Sequence, residues 1–126
     1  MASSQGTVIW FEIWARDPER VKAFYCALFG WSFTPFEGYD PDNYWLIDAG
    51  SDAAVHGAVV RQPDASTRPT RGCLVYVHVP DLDRAIATAI ASGGRVTMPV
   101  RRITETAGSF AVVADFEGNE VGLWMP

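Results

Sequence analysis

Asp17, Arg20, Ala23 and Gly30 recur with unchanged spacing 64 positions later as Asp81, Arg84, Ala87 and Gly94. The surroundings recur as well. A strand-like apolar run precedes each Asp, from Val8 to Trp14 and from Leu74 to Val79. A helical pattern follows each Asp, the Gly closes it, and further strand-like runs come after. A repeat of about 60 residues is longer than most stacked solenoid units. It constrains the chain to two half-domains of one fold, with a ligand expected between the halves.

The local signals agree. Residues 7–15 read as a strand rich in Val, Ile, Trp and Phe. Asp17-Pro18-Glu19 is a helix start: Asp caps free amides, Pro suits the first turn, and Glu meets the positive end of the dipole. Val21, Phe24, Tyr25, Leu28 and Phe29 then form one apolar helical face, which Gly30 ends. A second strand begins at Trp31-Ser32-Phe33. Residues 35–43 form a turn-rich stretch, and 44–48 and 54–61 read as the third and fourth strands. Two prolines in a polar run mark 63–71 as a linker. The second half repeats the order: a strand at 73–79, a helix from Asp81 to Ser92 with Leu82, Ile86, Ala89 and Ile90 inward, and strands at 95–103, 108–114 and 119–125. The expectation is a single α+β domain over 1–126. It consists of tandem βαβββ half-domains at about 7–62 and 72–125 that form a cupped eight-stranded mixed sheet whose concave side takes a ligand.

Composition narrows the function classes. The formal net charge is −5 and the ten basic residues are scattered, which disfavours nucleic acid and anionic membrane surfaces. No apolar run approaches the roughly 20 residues of a membrane span, and residues 1–6 do not read as a signal peptide. Cys26 and Cys73, without a C-x-x-C motif, read as reduced and mostly buried thiols of a cytoplasmic protein.

Three stretches resemble the vicinal oxygen chelate superfamily of glyoxalase I, extradiol dioxygenases, fosfomycin resistance proteins and bleomycin-binding proteins. The first is Phe11 to Asp17 running into Phe24-Tyr25 and Leu28-Phe29-Gly30-Trp31. The second is Val79-Pro80-Asp81-Leu82-Asp83-Arg84-Ala85 running to Gly93-Gly94, and the third is Ala114 to Asn119. The resemblance implies a glyoxalase-like fold and, for single-domain members, a homodimer. It also implies a divalent metal held by the first and last strands of each half. The positions that the resemblance assigns to ligands are Trp10, Gly57 or Ala58, Leu74 and Gly122, and none of these side chains can ligate. The sequence therefore predicts the scaffold without the metal and without another cofactor. A displaced site using Glu12, His56, His78 or Glu120 is the alternative.

Strand alternation puts Trp10, Glu12 and Trp14 on one face and Gly122 and Trp124 on another shared face. The expected ligand-binding set is Trp10, Glu12, Trp14, His56, Tyr76, His78, Gly122 and Trp124, with Gly122 adding room. An indole-lined site suits a flat, apolar or cationic aromatic compound. Glu12, flanked by apolar residues, needs a partner, and Arg16 or Arg61 could provide one. If burial raises its pKa, it could act in acid–base chemistry. Glu12, His56 and His78 are the candidates for catalysis, though each histidine also has an ordinary structural reading. The residues 39–44 form a candidate loop over the site. The readings that follow are a metal-independent binder of an aromatic or apolar small molecule, or a lyase, isomerase or dioxygenase-like enzyme of the same superfamily. An interaction module whose Trp residues serve dimerisation is the third.

Overall fold

The computed structural model describes residues 6–63 and 72–126. Most of the proposed linker, 64–71, and the segment 1–5 lie outside the described residues. The elements run β1 (Val8–Ala15), α1 (Pro18–Phe29), β2 (Ser32–Pro35), β3 (Tyr44–Asp48), β4 (His56–Arg61), β5 (Cys73–His78), α2 (Leu82–Ala91), β6 (Arg95–Thr104), β7 (Gly108–Ala114) and β8 (Glu120–Met125). The fold is α+β, with βαβββ occurring twice and eight strands of mixed pairing. Neither helix is long and apolar enough to cross a membrane.

Two compact units divide the chain: Trp10–Leu74, and residues up to Ile9 together with Val75–Pro126. The start of β1 joins the second unit through Gly6 N–H to the His78 carbonyl (2.8 Å) and His78 N–H to the Thr7 carbonyl (2.9 Å). The first unit orders its strands β2-β3-β4-β1, with β1 parallel to β4 and the other pairs antiparallel. The second orders them β5-β8-β7-β6, with β5 parallel to β8 and the other pairs antiparallel.

The repeated residues have physical roles. Asp17 Oδ1 accepts the Arg20 backbone N–H (3.2 Å), and Asp81 Oδ1 accepts that of Arg84 (3.1 Å). Each Asp is therefore the N-cap of its helix, satisfying an amide that has no partner within the helix. The glycines diverge. Gly30 ends α1 in the left-handed region at φ 75°, donating to the Cys26 carbonyl (2.8 Å). In the second unit Gly93 takes that conformation at φ 96°, while Gly94 is small because a Cβ there would overlap the Ala114 carbonyl.

Each unit packs its helix on one sheet face. Under α1 lie Ala15, Trp45, Ile47 and Val59, with Phe11, Ile13, Val21, Trp31 and Phe33 around them. Leu82 of α2 packs with Ala111, Val113 and Leu123 of the sheet. Fully burying one such aliphatic side chain contributes about 1.5–3 kcal/mol. The expected apolar face of α1 is only half right. Val21 and Tyr25 are partly covered, but Phe24, Leu28 and Phe29 are 59%, 58% and 55% exposed. The helix is rotated so that Lys22 faces inward, its ammonium 4.3 Å from the Trp45 ring centroid and 2.7 Å from Glu19 Oε2. A cation–π contact thus takes the position that an apolar pattern assigns to Phe24. Ile90 of α2 is likewise 56% exposed rather than inward. Cys26 and Cys73 are free but exposed, not buried.

The turn after β7 is tied by Asp115, whose carboxylate accepts the Asn119 side-chain amide (3.1 Å) and the backbone N–H groups of Asn119 and Glu117 (2.9 Å each). These bonds, the Asn119 side chain foremost, hold its carboxyl below the usual range. The stabilisation is therefore complete above the unfolded pKa, about 3.9, and is lost as pH falls through the lower folded value. Urea unfolding should show Asp115→Asn less stable than the parent at pH 6, with the gap closing under strongly acidic conditions.

Candidate functional site

The sheet face of the first unit that turns away from α1 carries Trp10, Glu12 and Trp14 from β1. The register Trp10↔His56, Glu12↔Ala58 and Trp14↔Val60 brings β4 alongside, and Tyr44↔Val60 adds β3. Tyr44, Ala58 and Val60 form the buried centre of this face, with Trp10, Trp14, Phe36 and Leu46 packed against them.

Glu12 is 6% exposed, and Trp14 and Tyr44 are among its partners. The Trp10 indole N–H can only donate, so the Tyr44 hydroxyl oxygen accepts it at 2.8 Å. The Tyr44 proton is then directed to Glu12 Oε2 at 2.8 Å. Trp14 Nε1–H donates to Glu12 Oε1 at 3.2 Å. Two of these three bonds end on Glu12, so each carboxylate oxygen accepts one aromatic donor. The expected Arg61 partnership is not what holds Glu12. Arg61 alternates to the other face, donates to Asn43 Oδ1 (3.1 Å) and lies 5.6 Å from the Trp45 ring centroid.

The 39–44 stretch forms a hydrogen-bonded turn. Tyr39 and Asp40 N–H both donate to the Phe36 carbonyl (3.1 Å), and Asn43 N–H donates to the Asp40 carbonyl (3.2 Å). The rings of Phe36, Tyr39 and Tyr44 lie mutually 5.7 Å apart. Sequence reasoning missed Tyr44 and Phe36 as members of this site. Tyr44 is 32 residues from Glu12, and only the register of β3 on β4 brings it close. Alternation in β3 was the available signal, with Trp45 and Ile47 facing the helix and Tyr44 the other side.

The second unit repeats this plan without the charge. In the 64-residue repeat Tyr76 stands for Glu12 and Gly122 for Ala58, and Tyr76 and Gly122 are register partners on β5 and β8. Gly122 adds no room: a Cβ there would overlap the Tyr76 ring, which is buried and stacks edge-on to Phe110 at 5.9 Å. His78 lies opposite Trp124, ring centroids 5.5 Å apart, and the Trp124 indole donates to the Ala107 carbonyl (2.7 Å). The structure thus brings Trp10, Glu12 and Trp14 together with Tyr44, and sets exposed His56 in register beside Trp10. It gathers Tyr76, His78, Gly122 and Trp124 separately in the second unit.

These residues do not fit a divalent ion. Trp10, Ala58, Leu74 and Gly122 offer no ligating atom, Tyr76 fills the space beside residue 122, and Glu12 is bonded to aromatic donors. Among the described residues no three of His, Cys, Asp or Glu converge.

Two βαβββ units with this strand order define a vicinal oxygen chelate protein. The chain belongs to the family described as glyoxalase-like domain, which matches residues 9–124. It is 34% identical over 118 residues to "Putative glyoxylase CFP32" of Mycobacterium tuberculosis, and likewise to its counterpart in Mycobacterium bovis. That match covers 94% of this chain but 43% of the relative, so the chain spans less than half the length of the curated relatives it matches. Methylmalonyl-CoA epimerase from Mycobacterium tuberculosis superposes with a TM-score of 0.66 at 19% identity, covering 100% of this chain and 92% of that one. A glyoxalase/bleomycin resistance protein/dioxygenase superfamily member from Vibrio splendidus 12B01 gives 0.62 at 14% identity, with 96% and 99% covered. At such identities these structures speak for the fold alone.

Proposed function

We propose that this protein is a metal-independent binder of an aromatic or apolar small molecule, working as a homodimer in a bacterial cytoplasm. The observation that carries this reading is the Trp10–Tyr44–Glu12–Trp14 network. Glu12 and Tyr44 satisfy the polar edges of both indoles, which leaves the ring faces as the chemical character of this side of the sheet. Ring faces recognise flat apolar surface by burial and stacking, and cations by their quadrupole. The side chains at the positions that the resemblance assigns to metal ligands, Trp10, Gly57 or Ala58, Leu74 and Gly122, cannot ligate an ion.

Intrinsic tryptophan fluorescence, titrated with planar aromatic compounds of neutral, cationic and anionic charge, tests this reading. Saturable 1:1 quenching is expected for at least one compound. Trp10→Ala or Trp14→Ala should weaken it by roughly 10-fold or more, since an aromatic stacking contact with its buried area is worth 1.4 kcal/mol or above. Quenching by no compound, or quenching indifferent to both substitutions, contradicts the proposal.

A second reading, acid–base catalysis centred on Glu12, is favoured by one feature of the same network. A buried carboxylate in contact with a hydroxyl is a pair that can move a proton. The enzyme reading expects bound compound to be converted and Glu12→Gln to abolish conversion. The binding reading expects the compound to be recovered unchanged in stoichiometric amount.

A further inference from the structure

On the other side of β1 a groove of about 560 Å³ runs between the strand and the first turns of α1. This is within the 300–1,000 Å³ range of small-molecule sites. Its walls are Phe11 and Ile13 from β1 and Val21, Phe24 and Tyr25 from α1, with Trp14 at the strand end. Phe11 and Ile13 alternate with Glu12, so the groove and the aromatic network occupy opposite faces of the strand. Two further features give the groove chemical polarity. Arg20 lies on it and is exposed. Lys22 nearby is bridged to Glu19, whereas Arg20 carries no ion pair among the described residues. Asp17, also on the groove, already uses Oδ1 to cap the helix through the Arg20 N–H. Gly72 and Cys73 complete the wall. The Cys73 thiol is pushed up by partial desolvation and then by the Glu12 charge, so the field at the Cys73 end disfavours anions. The Arg20 end is where an anion is favoured.

We propose that this groove is a second ligand site, taking small aromatic carboxylates with the ring between Phe11 and Phe24 and the carboxylate on the Arg20 guanidinium. A guanidinium offers a planar fork of donors matched to a carboxylate, and the apolar walls take the ring. The site shares Trp14 with the Glu12 network, while Phe11, Phe24 and Arg20 belong to the groove alone.

Cys73 supplies the readout. In a Cys26→Ser background the rate of Cys73 alkylation by iodoacetamide is measured with and without 2-naphthoate, 2-naphthamide being the uncharged control. The expected result is saturable protection by 2-naphthoate that is at least about tenfold weaker for 2-naphthamide and for Arg20→Ala, the scale of a charge-assisted pair. Phe24→Ala should weaken it similarly. Both positions are exposed, so these variants should keep the fold, as circular dichroism would verify. The proposal is overturned by absence of protection, by equal protection from the amide, or by undiminished protection in Arg20→Ala. It is equally overturned if protection rises with protein concentration alone, because a second copy then covers the groove.

Discussion

Gly122→Glu, which places a carboxylate at a position that the superfamily resemblance assigns to a metal ligand, is expected to destabilise the protein by roughly 3 kcal/mol or more, or to prevent folding. The cause is local. Residue 122 is buried, and any Cβ there meets the Tyr76 ring, itself wedged against Phe110. The glutamate would also bring a charge into a buried position. Urea unfolding of Gly122→Glu, Tyr76→Ala and the double variant checks this. The double variant should be less destabilised than the sum of the singles by more than about 1 kcal/mol, because removing the ring removes the overlap. A Gly122→Glu protein as stable as the parent would mean that the ring does not commit this position.

Glu12→Ala should have the second large effect, a loss of roughly 2–5 kcal/mol. It removes the carboxylate that accepts from the Tyr44 hydroxyl and the Trp14 indole N–H, and opens a cavity between the rings. Glu12→Gln should fall between that variant and the parent. Its amide has one acceptor oxygen for two converging donors, so one of them meets an N–H₂ group. Tyr44→Phe costs the Trp10 indole its acceptor and Glu12 one of its donors, and should resemble Glu12→Gln. Denaturation midpoints at pH 7 order the series. A silent Glu12→Ala would show that the network does not organise this face. Aromatic-ligand affinity should fall in the same order as stability, since the same bonds orient the indoles.

Much of the fold was legible because local chemistry and the repeat agreed. Asp17 and Asp81 announced helix starts through a capping geometry that depends on residues three apart, which a sequence displays directly. Alternation in β1 correctly put Trp10, Glu12 and Trp14 on one face, since a period of two needs no long-range information. Phe24 and Leu28 misled because helical periodicity yields an apolar stripe but not which edge of a wide stripe meets the sheet. A Lys22–Trp45 contact between distant residues decided that rotation. Tyr44 escaped as a partner of Glu12 because the pairing depends on strand register 32 residues away. Gly122 was read as space because a glycine in sequence does not reveal that the cross-strand Tyr76 lies over it. The α1 groove, built from Arg20, Phe24 and Cys73, had no motif at all, since its walls are assembled by packing.

The most direct measurement is calorimetric titration of the best-quenching compound into protein whose metal content has been determined, in chelator and again with added Zn²⁺ or Mn²⁺. Metal-independent recognition of the aromatic compound predicts substoichiometric metal and the same affinity under every condition. Stoichiometric metal, together with binding that disappears in chelator and returns with the ion, would contradict it.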